Sequence, residues 1–498
     1  MNRKIHQLEE ILDRAGAIYA AQNLFQWDNE TLAPKEAGEN TGKTVGILAG
    51  MYYEIMTGED LGKLIEECRQ QTDLDWICLC TLKEAEKERR LISSIPRKDY
   101  EEYTKLISQA GRIWGEAKSK KDFSVFAPVL ETILDYKIKM ARLNAEKGQE
   151  PYDVLLAEFD DSFLQKELDQ FFYTVKKELV PFLREIREKG RKIDNRFLQG
   201  DYSEEGQEKL ARFLAEYIGF DFDKGVLAVS PHPFTTSLHN KDVRITTHYD
   251  NRVDHSAFSV IHEGGHGLYE MGIDDKLTQT ILGQGASMAM HESQSRFMEN
   301  CIGRSKAFWK PIYGKVQEIF PKELGNISLD QFIEGINKVE PGLIRINADE
   351  LTYSLHILVR YELEKDLIGG KLSVKDLEQA WADKYKAYLG VEPKDAAEGV
   401  LQDIHWSQGS LGYFPSYALG SAFAAQIYWA MREKMDIDRL LEKGDLKTIR
   451  EYLRENIHSY GKTKDSLSLM RQATGREFSP DFYIKYLKEK YSQLYLKS

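Results

Sequence analysis

The chain is poor in cysteine, and its four, Cys68, Cys78, Cys80 and Cys301, are spread over 498 residues. Their spacing makes no four-thiolate metal site, and a chain of this length needs no disulfide scaffold. They read as reduced, inert thiols of a reducing compartment. No apolar run reaches membrane-spanning length. The longest, Tyr417–Met431, is interrupted by Ser421 and Gln426 and reads as a buried helix. The opening residues include Glu9, Glu10 and Asp13, with no apolar core of the signal-peptide kind. These absences together predict a cytoplasmic protein with no membrane partner. A basic excess is also missing. With 68 basic against 80 acidic residues the net charge is −12, and no dense Lys/Arg patch offsets it. Nucleic acid is therefore not an expected partner.

An apolar share of 42% is ample for a large core, and 30% charged residues keep the surface solvated. Length alone suggests about three domains. A single catalytic unit spanning 1–498 is the preferred reading, with a helical N-terminal lobe over 1–200 and a metal-binding, catalytic part over 201–498. Ile5, Leu8, Leu12, Ala15 and Tyr19 recur at helical spacing. Further helices are predicted over 42–53, 61–92, 99–118, 128–147 and 164–189, and the charge run Lys83–Arg90 reads as a solvated helix face. After Tyr217 the character changes. Two short β-branched runs, 225–230 and 242–249, flank Pro231 and Pro233 and predict a small sheet of two to four strands. Such a sheet can brace a neighbouring helix or pair with a peptide backbone.

The stretch that follows carries the chemistry. His262-Glu263-Gly264-Gly265-His266 is an H-E-x-x-H sequence. Residues four apart share one helix face, so two imidazoles can address one metal ion with Glu263 beside them. With histidine at 11 of 498 residues and glutamate at about a tenth, chance produces this pattern about 0.02 times in such a chain. Gly264, Gly265 and Gly267 each cost ~1 kcal/mol in a helix interior, so something is expected to approach the backbone closely there. The helix is predicted to start near Asp254 or Ser256, either of which can cap it, and to end at Gly272. A second helix is predicted over 286–302. It carries His291-Glu292-Ser293-Gln294. Two histidines and one glutamate make the three-ligand, open-position zinc site. From spacing, Glu292, Glu270 and Glu299 compete as the third ligand; Glu270 shares the histidines' helix, where reach is poor. His6 and His458 lie far from every motif and read as surface or core residues.

Further short signatures occur in order: His232-Pro-Phe234, Asp242-x-Arg-x-Thr246, Ile344-Arg-x-x-Ala-Asp349 and Gly399-x-x-Gln-Asp-x-His-Trp406, with Trp27-Asp28-Asn-Glu-Thr31 near the N-terminus. Together with H-E-x-x-H and H-E-S-Q they run along essentially the whole chain, which resembles the carboxypeptidase Taq family of metallocarboxypeptidases. His248 and Ala33 depart from that pattern, where arginine and methionine would stand. The resemblance implies a mainly α, two-lobed helical zincin fold with a deep active-site cleft and a small β-sheet, a homodimer, and Glu292 as third ligand beside His262 and His266.

It also implies release of single amino acids from the C-terminus of peptides, with Zn2+ as cofactor and Co2+ as a substitute ion. Glu263 is then the general base. Tyr417, and after it His405, are candidate donors to the oxyanion, with Tyr413 a third. Arg244 and Arg345 are candidates to bind the free α-carboxylate of the peptide, which a guanidinium grips with two parallel hydrogen bonds; each could equally pair with its neighbouring aspartate. His232 is a candidate substrate contact, and Gln294 and Asp403 are candidates to orient the metal ligands. The alternative activity is a zinc oligopeptidase or endopeptidase cutting internal bonds of short peptides, which H-E-x-x-H does not distinguish.

Overall fold

A computed structural model describes residues 3–497. Helices dominate, and a single sheet of three strands interrupts them among the described residues. The chain forms two compact units that interleave in sequence. One comprises 1–93, 194–336 and 427–477, the other 94–193, 337–426 and 478–498. Residues 1–200, read from sequence as one helical lobe, are therefore divided between the units.

In the first unit the N-terminal helix, Arg3–Thr31, buries Ile5, Leu8, Leu12 and Ala15. They meet Met56, Leu61, Ile65, Cys68, Leu82 and Ala85 from the next three helices, Gly38–Thr57, Glu59–Arg69 and Trp76–Ser93. The stripe is the one that the apolar spacing predicts as far as Ala15, whereas Tyr19, the last residue of the predicted stripe, is exposed. Each large aliphatic side chain buried in it stabilises by about 1.5–3 kcal/mol. The helix expected over 61–92 is broken at 70–75, where Gln70, Gln71, Thr72 and Asp73 offer no apolar face to continue it. The four cysteines are free, and burial pushes the Cys78 thiol up to about 11, with Asp75 adding to the shift.

The sheet consists of β1 (Gly225–Val229), β2 (Thr235–His239) and β3 (Asp242–Thr247) in the order β1-β3-β2. β1 runs parallel to β3, whereas β2 is antiparallel to it with Thr235 opposite Ile245. β2 is therefore an edge strand. Thr246 ties the His232-Pro-Phe234 segment to β3: its hydroxyl accepts from the Phe234 amide at 2.9 Å, and its amide donates to the Phe234 carbonyl at 3.0 Å. Two of the sequence signatures are thus one hydrogen-bonded corner.

β3 lies against the helix Val253–Gly272, which carries H-E-x-x-H. That helix begins one residue before Asp254, which pairs with Arg252 (2.7 Å) instead of capping. Gly267 leaves room for Phe220 and Ile245, and Gly265 for another backbone: a Cβ at Gly265 would lie 2.6 Å from Ser295 Cα and 2.7 Å from the Gln294 carbonyl oxygen. The helix Met288–Arg296 is what approaches so closely. Ser287 caps it by accepting from the Met290 amide. The continuous helix expected over 286–302 instead passes into a wider π-helical segment, Phe297–Gly303. Every residue of that segment is buried, so its apolar pattern carried no period that distinguishes the two helix types.

In the second unit the helix Glu350–Ile368 is buried on nearly all sides, its buried Arg360 and Glu364 being met by partners within the protein. Asp349 of the Ile-Arg-x-x-Ala-Asp signature caps it, accepting from the Thr352 amide at 3.0 Å. The stretch Tyr417–Met431 lies within the helix Pro415–Lys434 and is largely buried. No helix among the described residues is long and apolar enough to cross a membrane.

Two glycine substitutions separate helix propensity from packing. Gly→Ala in a helix gains ~1 kcal/mol where space allows, whereas overpacking against rigid neighbours costs about 1–3 kcal/mol. Gly50 lies within Gly38–Thr57, and a Cβ there would meet nothing within 4 Å. Gly50→Ala is expected to raise the thermal midpoint, and Gly265→Ala to lower it and to weaken metal retention, as read by thermal unfolding and metal analysis.

Candidate metal centre

The H-E-x-x-H helix places His262 and His266 on one face, with ring centroids 5.0 Å apart. The close approach at Gly265 brings Glu292 over that face from the following helix. Glu292 Oε2 lies 3.4 Å from His266 Nε2 and 3.8 Å from His262 Nε2. One donor atom from each of the three residues falls within 4.8 Å of the others. Two imidazole nitrogens and one carboxylate oxygen fit a divalent cation of the zinc type with one position open. The other candidates for third ligand from spacing, Glu299 and Glu270, lie outside this trio.

Glu299 backs His262 instead. Its Oε2 is 2.9 Å from His262 Nδ1 and accepts from Arg296 Nη1 at 3.1 Å, while its Oε1 accepts from Arg304 Nη2 at 2.9 Å. Arg296 also donates through Nε to Glu292 Oε1 at 2.7 Å. One guanidinium thus joins the two carboxylates. Burial, the largest single influence, would raise both acids, but Arg296 and His262, together with His266 for Glu292 and Arg304 for Glu299, outweigh it. Glu292 is held at about 2 and Glu299 well below the usual carboxylate range. Burial pulls His262 down, and the charges of Glu292 and Glu299 more than restore it. With a carboxylate accepting at Nδ1, the His262 Nε2 lone pair points to the trio.

Glu263, one step round the helix, is buried, and its Oε2 accepts from Thr235 Oγ1 at 2.6 Å. That contact sets the start of edge strand β2 beside the glutamate. A cavity of about 850 Å³ runs beside the same strand, bordered by Ser237, Leu238 and His239, with Tyr19, Glu88 and Lys462 across it. Successive strand side chains point to opposite faces, so three consecutive bordering residues mean that the cavity follows the strand's edge.

The remaining predicted residues separate into two groups. In the first unit Arg244 makes a two-bonded ion pair with Asp242 (2.8 and 2.9 Å), its guanidinium 4.9 Å from the Trp27 ring. Trp27 of the N-terminal signature is thereby explained. His232 is exposed, as is His248, whose Nδ1 is 3.3 Å from the Ser230 carbonyl. Gln294 does not touch the trio. Its Oε1 meets His458 Nε2 at 2.9 Å, so His458, read from sequence as remote from every motif, is buried against one. His6 is exposed beside Glu10, as expected.

In the second unit Arg345 is buried, bonded to Asp403 through Nε (2.8 Å) and to the Tyr353 hydroxyl through Nη1 (3.1 Å). Asp403 also receives Arg360 Nε at 2.7 Å, and Gln402 Oε1 receives Arg360 Nη2 at 2.8 Å and the Arg345 amide at 2.9 Å. Asp403 therefore holds two arginines and does not orient a ligand of the trio. Burial would raise it, but Arg345 and Arg360 hold it far below its ordinary value. His405 Nε2 is 3.1 Å from the Tyr417 hydroxyl, with the Tyr413 ring 5.5 Å from the imidazole. Burial and the positive charge of Arg345 push His405 down to about 3, so it is neutral. Trp406 donates to Glu364 Oε1 at 2.7 Å. That buried carboxyl also receives the Tyr152 hydroxyl and the Gly412 amide and is pushed up to about 7 by burial.

Sequence reasoning missed Arg296, Arg304, Arg360, Thr235 and the pairing of His291. A signal existed for Arg296 alone: it stands four residues after Glu292 on one helix, a spacing at which opposite charges meet.

A mainly helical frame with a short sheet, carrying this donor set beside a buried glutamate, defines a metallopeptidase. The description "Carboxypeptidase Taq (M32) metallopeptidase" fits residues 7–491, and the chain belongs to that family, whose members are metallocarboxypeptidases. It is 41% identical over 500 residues to carboxypeptidase 1 of Bacillus subtilis, covering 99% of this chain and 100% of the relative. To thermostable carboxypeptidase 1 of Pyrococcus furiosus it is 33% identical, covering 98% and 99%. The crystal structure of an M32 carboxypeptidase from Deinococcus radiodurans superposes with a TM-score of 0.95 at 32% identity, covering 99% of each chain.

Removing one member of a buried ion pair costs about 3–5 kcal/mol, so Asp403→Asn is expected to destabilise by that amount in urea unfolding at pH 7. Because Asp403 is depressed in the folded state, its contribution is present above ~4, the unfolded value, and is lost as pH falls towards its folded value. The gap between parent and variant is expected to narrow as pH falls below ~4.

Proposed function

We propose that the protein is a zinc-dependent carboxypeptidase that removes single amino acids from the C-terminus of peptides, with His262, His266 and Glu292 holding the ion. The observation that carries this reading is the convergence of two Nε2 atoms and one carboxylate oxygen beside a buried glutamate. When bound, the ion supplies Lewis acidity, lowering the pKa of a water to about 7 and polarising the scissile carbonyl. Co2+ has the same preference for these donors and is the expected substitute.

Glu263 serves as general base. Thr235 occupies its Oε2, which leaves Oε1 to take a proton from the attacking water and deliver it to the leaving amine. Tyr417 is assigned as donor to the developing oxyanion, with His405 behind it. His405 Nδ1 is buried without a protein partner, a smaller cost for a lone pair than for an N–H. That favours the proton on Nε2, donated to the Tyr417 oxygen. Arg244 and Arg345 are assigned to the peptide's α-carboxylate. Each is fixed in plane by an aspartate, which orients its remaining N–H groups in advance. His232 is exposed and available to the substrate. Peptide residues upstream of the scissile bond fit the cavity beside β2, whose open edge can pair with an extended backbone.

The chain-wide likeness to named carboxypeptidases supports exopeptidase action over internal cutting. A homodimer is the proposed assembly. Ile47 and Met51, four apart on one helix, and Trp76, Ile77 and Leu79 are exposed apolar residues that a partner can cover. A cytoplasmic location accords with four free cysteines.

Mass spectrometry of a synthetic peptide digested for increasing times is expected to show stepwise loss of single C-terminal residues; internal fragments at the earliest times would contradict the exopeptidase reading. Glu263→Gln is expected to lower the hydrolysis rate about 10²–10⁴-fold with metal content unchanged. Full activity in that variant would overturn the general-base assignment.

A further inference from the structure

The two histidines of the trio are backed differently. His262 Nδ1 meets a carboxylate, Glu299, directly. His266 Nδ1 meets another imidazole: His291 Nδ1 lies 2.6 Å away. On the far side of that ring, His291 Nε2 is 2.9 Å from Glu270 Oε1. Two ring nitrogens approach so closely only when one carries the proton and the other a lone pair. Glu270 decides which. Its Oε1 also accepts from the Gly285 amide at 3.0 Å, so it faces His291 as an acceptor. The His291 proton therefore sits on Nε2, its Nδ1 is bare, and the proton between the rings belongs to His266 Nδ1. His266 Nε2 is left as a lone pair, 3.4 Å from Glu292 Oε2.

The surroundings are built to admit the second ring. A Cβ on Gly285 would lie 2.7 Å from His291 Cδ2, and the Tyr269 ring is 5.1 Å from the imidazole on another side. Glu270 is buried and His291 largely so. Both are also adjacent in sequence to ligand-bearing turns: Glu270 is four residues after His266, and His291 directly precedes Glu292.

We propose that Glu270 and His291 are positioning residues, a two-step relay that fixes the tautomer and direction of His266 and thereby sets the affinity of the metal site. The proposal rests on the reading of His262, His266 and Glu292 as metal ligands. In it, the H-E-x-x-H helix supplies two ligands, the general base and, in Glu270, the terminal anchor of the relay.

The test is a Zn2+ dissociation constant from chelator competition on the purified full-length protein. Glu270→Gln keeps an acceptor oxygen opposite His291 Nε2 but removes the carboxylate charge that holds the proton there, which loosens the fixed tautomer. It is expected to weaken Zn2+ binding about 10–100-fold, the range found when groups behind a ligating histidine are changed. The far-ultraviolet circular dichroism of the metal-free protein should stay unchanged. His291→Phe keeps the ring volume, removes both nitrogens and is expected to do the same. In a relay the two losses do not add, so the double variant should bind Zn2+ no more weakly than His291→Phe alone. Tyr269→Phe removes a hydroxyl that accepts from the Ala286 amide in the same neighbourhood and should leave affinity unchanged. Parental affinity in Glu270→Gln, losses that multiply in the double variant, or an equal loss in Tyr269→Phe would each overturn the relay. His266→Ala is the reference: if it binds Zn2+ as the parent does, the ligand reading itself fails, a result distinct from failure of the relay.

Discussion

Arg296 is the interaction on which the metal centre depends. Glu292 and Glu299 are both buried within reach of the same imidazole. Two buried carboxylates so placed disfavour each other's ionised form, and one would take up a proton without compensation. Arg296 donates to both, and Arg304 takes the outer oxygen of Glu299. With the charges balanced, Glu292 stays an anion and Glu299 stays an acceptor. The first presents an anionic oxygen to His262 and His266, and the second holds the proton of His262 on Nδ1. The chemistry proposed for the site follows from those two ionisation states.

The second unit solves the converse problem with the signs reversed. Arg345 and Arg360 are buried, and Asp403 lies between them with Gln402 alongside. The Gly-x-x-Gln-Asp-x-His-Trp signature is the inner lining of this cluster: Gln402 and Asp403 hold the arginines, and Trp406 anchors to Glu364. His405 pairs instead with Tyr417. Buried pairs of this kind contribute little net stability, yet removing one partner is costly. They fix the geometry of the cluster.

The shared face of His262 and His266 was legible because helical spacing turns H-E-x-x-H into geometry directly; the approach of Glu292 to them was not fixed by spacing, which left Glu270 and Glu299 as alternatives, and came from the family resemblance. Gly265 was legible as a close approach, though not the identity of what approaches; the partner is a backbone about 30 residues further on, which local pattern does not encode. Asp403 was misread as an orienting group for the ligands because the sequence shows it beside His405 and not its partner Arg360, which sits unmarked in the middle of a long helix. His458 is a core residue, one of the two readings offered for it, but its contact with Gln294, far back in the chain, was not legible for the same reason. The break at 70–75 and the π-helical segment 297–303 escaped notice because a polar gap and an all-buried run both lack a period. The division into interleaved units was not legible, since no change in composition marks a chain that leaves a unit and returns.

The central claim is that a divalent ion is held by two imidazole nitrogens and a carboxylate oxygen. X-ray absorption spectroscopy at the zinc edge, on untagged protein purified without added metal, tests it most directly. The account predicts a first shell of nitrogen and oxygen only, with two imidazoles at ~2.0–2.1 Å and one of them lost in His266→Ala. Sulfur at ~2.3 Å, or a shell unaltered by that substitution, would contradict it.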